Sequence, residues 1–165
     1  MAKQAFYSKK YLFRSNINKK IRKNFIRTYI WSIALYGCET WTLTKQDMSR
    51  LEAFEMWCWR RMERISWTER VTNEEVLNRV GTKRQLLQNI ENRIGRMIGH
   101  LIRHDDFIKN IVEGKVEGKR GRGRPRYSYI KQIKEKVKVV TYKEVQELAL
   151  DRCKWKELQR QELGS

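Results

Sequence analysis

Apolar residues recur along this chain mostly at helical spacing. Ile17, Ile21, Phe25, Tyr29 and Ile33 fall at every fourth position, with Ile26 and Ile30 beside them. That period predicts a helix over 18–35 with this stripe turned inward. Lys19, Lys20, Arg22, Lys23 and Arg27 fall mainly on its other faces, and Gly37 is a natural stop. A second helix is predicted over 45–65, with Met48, Leu51, Phe54, Cys58, Met62 and Ile65 inward and Trp57 and Trp59 widening the stripe. Thr72 followed by Glu75 forms a capping box that opens a helix over 73–80, closed by Gly81 and Thr82. A long helix over 83–103 follows, with Leu86, Leu87, Ile90, Ile94, Met97, Ile98 and Leu101 inward. Gly95 and Gly99 lie four apart on it and allow another element to approach closely. Thr141 and Glu144 repeat the capping box and open a last helix to about residue 160, whose stripe is Val145, Leu148, Ala149, Cys153 (or Arg152), Trp155 and Leu158. Residues 3–13 read as a short basic helix or an extended lead-in, 38–43 as a turn or short link, and 127–138 as a basic helix. The expected fold is all-α: a bundle of five or six helices, a basic Gly/Arg linker, and tethered C-terminal helices.

Composition adds a polyanion to this picture. The chain has 165 residues, enough for one domain or two small ones, and 40% of them are hydrophobic. Its net charge is +18, from 37 Lys and Arg against 19 Asp and Glu. Such an excess repels itself, and phosphate backbones are its usual partner. The excess is also uneven. Residues 1–38 hold nine bases and no acid, and 119–138 hold nine bases and one acid, while 39–81 are close to neutral. Two basic blocks around a packed centre are expected. Three widely spaced cysteines, Cys38, Cys58 and Cys153, argue against a disulfide framework and for buried thiols. They point to a reducing compartment, and the basic runs point to the nucleus. No secretory leader or membrane-length apolar run is visible.

The sharpest local signal is the run from Arg120 to Arg126, Arg-Gly-Arg-Gly-Arg-Pro-Arg. It resembles an AT-hook. Gly and Pro keep the backbone narrow, and arginines meet the negative potential of an A/T minor groove. A solvated linker or a nuclear-localisation run is the plainer alternative. With Lys119 before it, the candidate contacts there are Lys119, Arg120, Arg122, Arg124 and Arg126. The first block offers Arg14, Lys19, Lys20, Arg22, Lys23 and Arg27 as a face tracking a phosphate backbone. The helix–turn–helix order of 72–103 is also open to a DNA-reading role or to plain bundle packing. His100 and His104 are four apart, with Asp105 and Asp106 after them, but no paired-Cys or His-Glu-x-x-His motif accompanies them. No metal, cofactor or catalytic residue is expected.

Several segments are distinctive beyond their periodicity. These are YIWSIALYGCETWTL from Tyr29, LEAFEMWCWRRM from Leu51, ISWTERVTNEEVL from Ile65, IGHLIR from Ile98, GRGRPR from Gly121 and LALDR from Leu148. In this order they resemble the C-terminal part of non-LTR (LINE-type, RTE-like) retrotransposon reverse transcriptases, over nearly the whole chain. The resemblance implies a thumb-like helical region over 1–70, a helical extension over 71–113, the AT-hook-like linker over 114–126 and C-terminal helices over 127–165. It also implies DNA or RNA as partner, with other reverse transcriptase or chromatin proteins as further candidates. The family's catalytic aspartate motif and its endonuclease domain have no counterpart here, so the resemblance carries over grip on nucleic acid and not polymerisation or cleavage. The expected function is a non-enzymatic nucleic-acid-binding module. The alternative is a protein-interaction domain, dimerising through the Trp/Met-rich helix and the glycine face of 83–103, whose basic blocks serve nuclear targeting.

Overall fold

The computed structural model describes residues 1–104, 107–113 and 129–161. Among them every regular element is helical. The order is α1 (Ala2–Ser8), α2 (Lys10–Arg14), α3 (Lys19–Phe25), a π-helical stretch (Ile26–Ile30), α4 (Trp31–Ala34), a 3-10 turn (Cys38–Thr40) and α5 (Lys45–Met62). A second 3-10 turn (Trp67–Glu69) precedes α6 (Asn73–Val80), α7 (Leu86–Arg103), α8 (Phe107–Val112), α9 (Tyr129–Val137), α10 (Tyr142–Leu150) and α11 (Arg152–Gln161). The all-α class is as expected, with the segments more finely divided. The basic linker over 114–126 lies outside the described residues.

The chain forms two compact units. The first comprises Met1–Gly37 and Lys45–Ile90, and the second Cys38–Thr44 and Glu91–Ser165.

In the first unit the core is Phe6, Phe13, Ile26, Ile30, Trp31, Leu35, Met56, Cys58, Trp59, Met62, Val76, Val80, Leu86 and Ile90. The predicted helix over 18–35 is present, but its buried face is rotated from the every-fourth-residue stripe. Ile21, Phe25 and Tyr29 are exposed, whereas Ile26 and Ile30, read beside that stripe, are buried together with Trp31 and Leu35. The π-helical stretch is the physical reason. At about 100° per residue, nine residues of regular α-helix would set Ile26 and Leu35 on opposite sides. The wider π turn holds more residues per turn and so rotates Leu35 back toward the side of Ile26. α5 buries Met56, Cys58, Trp59 and Met62, while Trp57 is only half-buried. The Trp59 indole meets Trp31 edge-on, with ring centroids 5.7 Å apart. α6 has half of its predicted capping box. The Thr72 hydroxyl accepts from the Glu75 amide at 3.2 Å, but the Glu75 carboxylate pairs with Arg79 at 2.6 Å. Gly81 ends the helix in the left-handed region, φ 65°.

In the second unit Trp155 is the anchor. Its indole nitrogen donates to the Gly95 carbonyl at 2.9 Å, and a Cβ on Gly99 would lie 2.5 Å from that nitrogen. The close approach expected of the glycine pair is made by this side chain. The predicted last helix is two, broken at Asp151, whose backbone turns to φ −80°, ψ 100°. The Asp151 carboxylate accepts the amides of Cys153 and Lys154 at 3.0 and 3.1 Å and so caps α11. Those bonds hold the carboxyl below its ordinary pKa. The break turns Cys153 outward. It is exposed, against the expected buried thiol, whereas Cys38 and Cys58 are buried. The Thr141–Glu144 box at α10 forms in full. The link 38–44 is pinned by α9: Tyr129 donates to the Glu39 carbonyl at 2.6 Å, and the Leu43 amide donates to Gln132 at 2.7 Å.

Candidate nucleic-acid interface

The residues expected to track a phosphate backbone are mostly turned inward. α5 and α6 end with carbonyls that have no partner in their own helices. The cations of α2, α3 and the π-helical stretch supply those partners. Arg14 Nε donates to the Arg61 carbonyl at 3.3 Å. Arg22 Nη1 donates to the carbonyls of Met62 and Phe13 at 3.1 and 3.3 Å. Lys19 Nζ donates to the Arg79 carbonyl at 2.7 Å and pairs with Glu63 at 3.3 Å. Lys23 Nζ reaches the Gly81 carbonyl at 3.0 Å. Arg27 Nη2 donates to the Thr82 hydroxyl at 2.8 Å, and its guanidinium lies over the Trp31 and Trp59 rings. A positive charge at a helix C-terminus also complements the macrodipole. Five of the six candidates therefore clamp the ends of other helices. Lys20 is exposed and carries no such bond.

Two of the five also face a cleft. A polar depression of about 400 Å³ is lined by Arg14, Ser15, Asn16, Arg22, Glu63 and Arg64, among others. Arg64 was not singled out by the sequence. It sits past the end of α5 in the left-handed region, φ 60°, and its guanidinium donates to the Arg14 carbonyl. Arg14, Arg22 and Arg64 line the cleft from separate segments beside one carboxylate, Glu63, which pairs with Lys19 at 3.3 Å and lies 3.9 Å from Arg22. Arg22 Nε and Glu63 Oε1 are buried without a hydrogen-bond partner among the described residues. The cleft thus carries net positive charge and one unused donor, Arg22 Nε–H, that can meet an oxyanion, while Glu63 Oε1 is an acceptor that takes a donor or a bridging water instead.

A second depression, of about 450 Å³, lies along α5 between Ser49, Trp57, Arg60 and Arg84. Its cations are engaged within the fold. Arg84 pairs with Glu52 at 3.3 Å, and Arg60 donates to the Val71 carbonyl and to Asn73. On the same helix Trp57 carries Lys3 and Arg61 over its ring at 5.5 and 5.7 Å, beside Tyr7.

One buried carboxylate was missed altogether. Glu55 is 1% exposed and accepts the amides of Gln85 and Leu86 at 3.0 and 3.2 Å. It caps α7, whose start offers no Ser, Thr, Asp or Asn next to Leu86. Burial pushes its carboxyl up from the ordinary value of 4.5, against the pull of those amides. An acid set directly beside the Met-Trp-Cys-Trp run of α5, matched with an uncapped helix start, was the available signal.

The remaining candidates are quickly placed. Lys119, Arg120, Arg122, Arg124 and Arg126 lie outside the described residues, as do Asp105 and Asp106. His100 and His104 are exposed with ring centroids 4.3 Å apart. Among the described residues no group of three or more His, Cys, Asp or Glu is placed to hold a metal ion. No helix there is long and apolar enough to cross a membrane. Comparison with protein-family models, curated proteins and solved structures gives no match.

Proposed function

We propose that this chain is a non-enzymatic nucleic-acid-binding module, derived from the thumb and C-terminal extension of a non-LTR retrotransposon reverse transcriptase and acting in the nucleus. The observation that carries the proposal is the arginine cleft. Arg14, Arg22 and Arg64 converge on it from three segments, in a chain of net charge +18. Phosphate is the anion that a surface of this kind meets most often, and guanidinium forks match its geometry. The basic run from Lys119 to Arg126 would add a groove contact. Lys20 would add a phosphate contact. The family resemblance supplies the origin, and the residues it carries over are of the kind that grip nucleic acid.

The test is a titration of the whole chain against duplex DNA, single strands and RNA hairpins at two salt concentrations. Binding should weaken steeply with salt, because counterions are released from each neutralised phosphate. Absence of binding at low salt, or affinity indifferent to salt, overturns the proposal. AT-rich against GC-rich duplexes would separate a minor-groove contact at Arg122, Arg124 and Arg126 from a plain basic linker.

A protein-interaction role has one observation in its favour, the exposed Ile21 and Phe25 on α3 and Tyr29 on the π-helical stretch. The surfaces the sequence offered for it are partly filled, although Trp57 still lines an open depression along α5. Trp155 fills the Gly99 face, and Trp59 and Met62 are in the core.

A further inference from the structure

Trp67 is 88% exposed, although an indole is among the most favourable side chains to bury. It is not on a loose loop. The Ile65 amide donates to the Arg60 carbonyl at 2.9 Å as the chain leaves α5. The Ser66 amide then donates to Glu69 Oε1 at 2.6 Å, and the Thr68 hydroxyl donates to Ser66 Oγ at 2.9 Å. A full capping box thus closes the 3-10 turn that carries the indole. Arginines in the left-handed region bracket it, Arg64 at φ 60° and Arg70 at φ 50°. Both are exposed, and Arg64 lines the arginine cleft. Of the carboxylates close to it in sequence, Glu69 is engaged in the box and Glu63 pairs through Oε2 with Lys19.

From this arrangement we infer that Trp67 is a stacking platform for an unpaired nucleobase, with Arg64 and Arg70 taking the flanking phosphates. The inference rests on the nucleic-acid-binding reading above and names a ligand class for it. A flat π face carried on a backbone turn fixed in this way stacks on any base without the entropy of ordering a loop. Exposed arginines three residues before and after it supply positive charge that a strand's phosphates can use and an apolar protein partner cannot. A base inside a duplex presents no free face unless the stack is opened, which costs a few kcal/mol. Single strands, overhangs and loops are therefore the favoured targets.

Trp67→Ala and Trp67→Phe in the full chain test this, with binding to a mixed-sequence single strand and to a blunt duplex of equal length. Trp67 packs against little, so both variants should melt like the wild type. Trp67→Ala should weaken single-strand binding about tenfold and leave the blunt duplex unchanged, and Trp67→Phe should keep most of the affinity. Single strands should also quench tryptophan emission in the wild type and not in Trp67→Phe. Equal single-strand affinity for Trp67→Ala and wild type, with duplex still bound, overturns the stacking inference and leaves the binding module standing. No binding by the wild type to either oligonucleotide overturns both. Loss of self-association in Trp67→Ala with unchanged oligonucleotide affinity would assign the indole to a protein contact and overturn the inference as well.

Discussion

Phe25 and Ile26 are neighbours with opposite fates. Phe25 belongs to the every-fourth-residue stripe yet is 39% exposed, while Ile26 is fully buried. Phe25→Ala should therefore cost well under 1 kcal/mol, and Ile26→Ala about 2–5 kcal/mol from lost transfer energy and the cavity left behind. Chemical denaturation of the two variants checks the order, which periodicity alone would reverse. Glu55 makes a second residue-scale prediction. Its folded pKa lies above the ordinary 4.5, so between 4.5 and the folded value the native state holds a proton the unfolded chain has released. Stability from this group is complete below 4.5 and is lost as pH rises through the folded value. Glu55→Gln should flatten the stability profile across that window, measured by melting at a series of pH values. Glu55→Ala should instead cost about 1–3 kcal/mol near neutrality, since two buried amides lose their acceptor.

Elements were legible wherever a local rule set their ends. Gly81 closes α6, Thr141 and Glu144 open α10, and the stripe of α7 is buried at Leu86, Ile90, Ile94, Ile98 and Leu101 as its period implies. They were misread where a partner from elsewhere in the chain intervened. The π-helical stretch answers the packing of Trp31 and Leu35, which no local pattern encodes. The break at Asp151 is in principle local, since an acid followed by two free amides is a cap, but it competes with an unbroken apolar stripe. The candidate site follows the same division. Basic residues were correctly located on α3, but their targets, the carbonyls ending α5 and α6, are about 40 to 60 residues away in sequence. The glycine pair of α7 was legible because only close approach explains two glycines in a helix interior. Gly99→Ala tests its strength. Alanine favours a helix by about 1 kcal/mol over glycine, but here its Cβ meets the Trp155 indole at 2.5 Å and the Arg103 guanidinium at 3.1 Å. Overpacking of about 1–3 kcal/mol should prevail, lowering the melting temperature and shifting the emission of the displaced Trp155.

At the scale of the molecule, a net charge of +18 has to be divided between cations that hold the fold and cations that face solvent. Two sets can be separated by experiment. Lys23 and Arg22 end on helix carbonyls, so their replacement by methionine should lower stability, by about 0.3–1 kcal/mol for Lys23 and about 1–3 kcal/mol for Arg22. Lys20, Arg64 and Arg70 are exposed, so their replacement by glutamine should leave the melting temperature nearly unchanged at Lys20 and Arg70 and lower it slightly at Arg64, whose guanidinium also donates to the Arg14 carbonyl. The binding response should divide the other way. Each outward cation that touches a phosphate contributes close to one unit to the slope of log affinity against log salt. The triple glutamine variant should therefore lose two to three units of slope, by that rule about one per contact, with weakening spread over all sequences. The Lys23 variant, assayed below its melting range, should keep the wild-type slope. Should the triple variant retain the full slope, the phosphates are gripped elsewhere, and the Lys119–Arg126 run becomes the segment to substitute next.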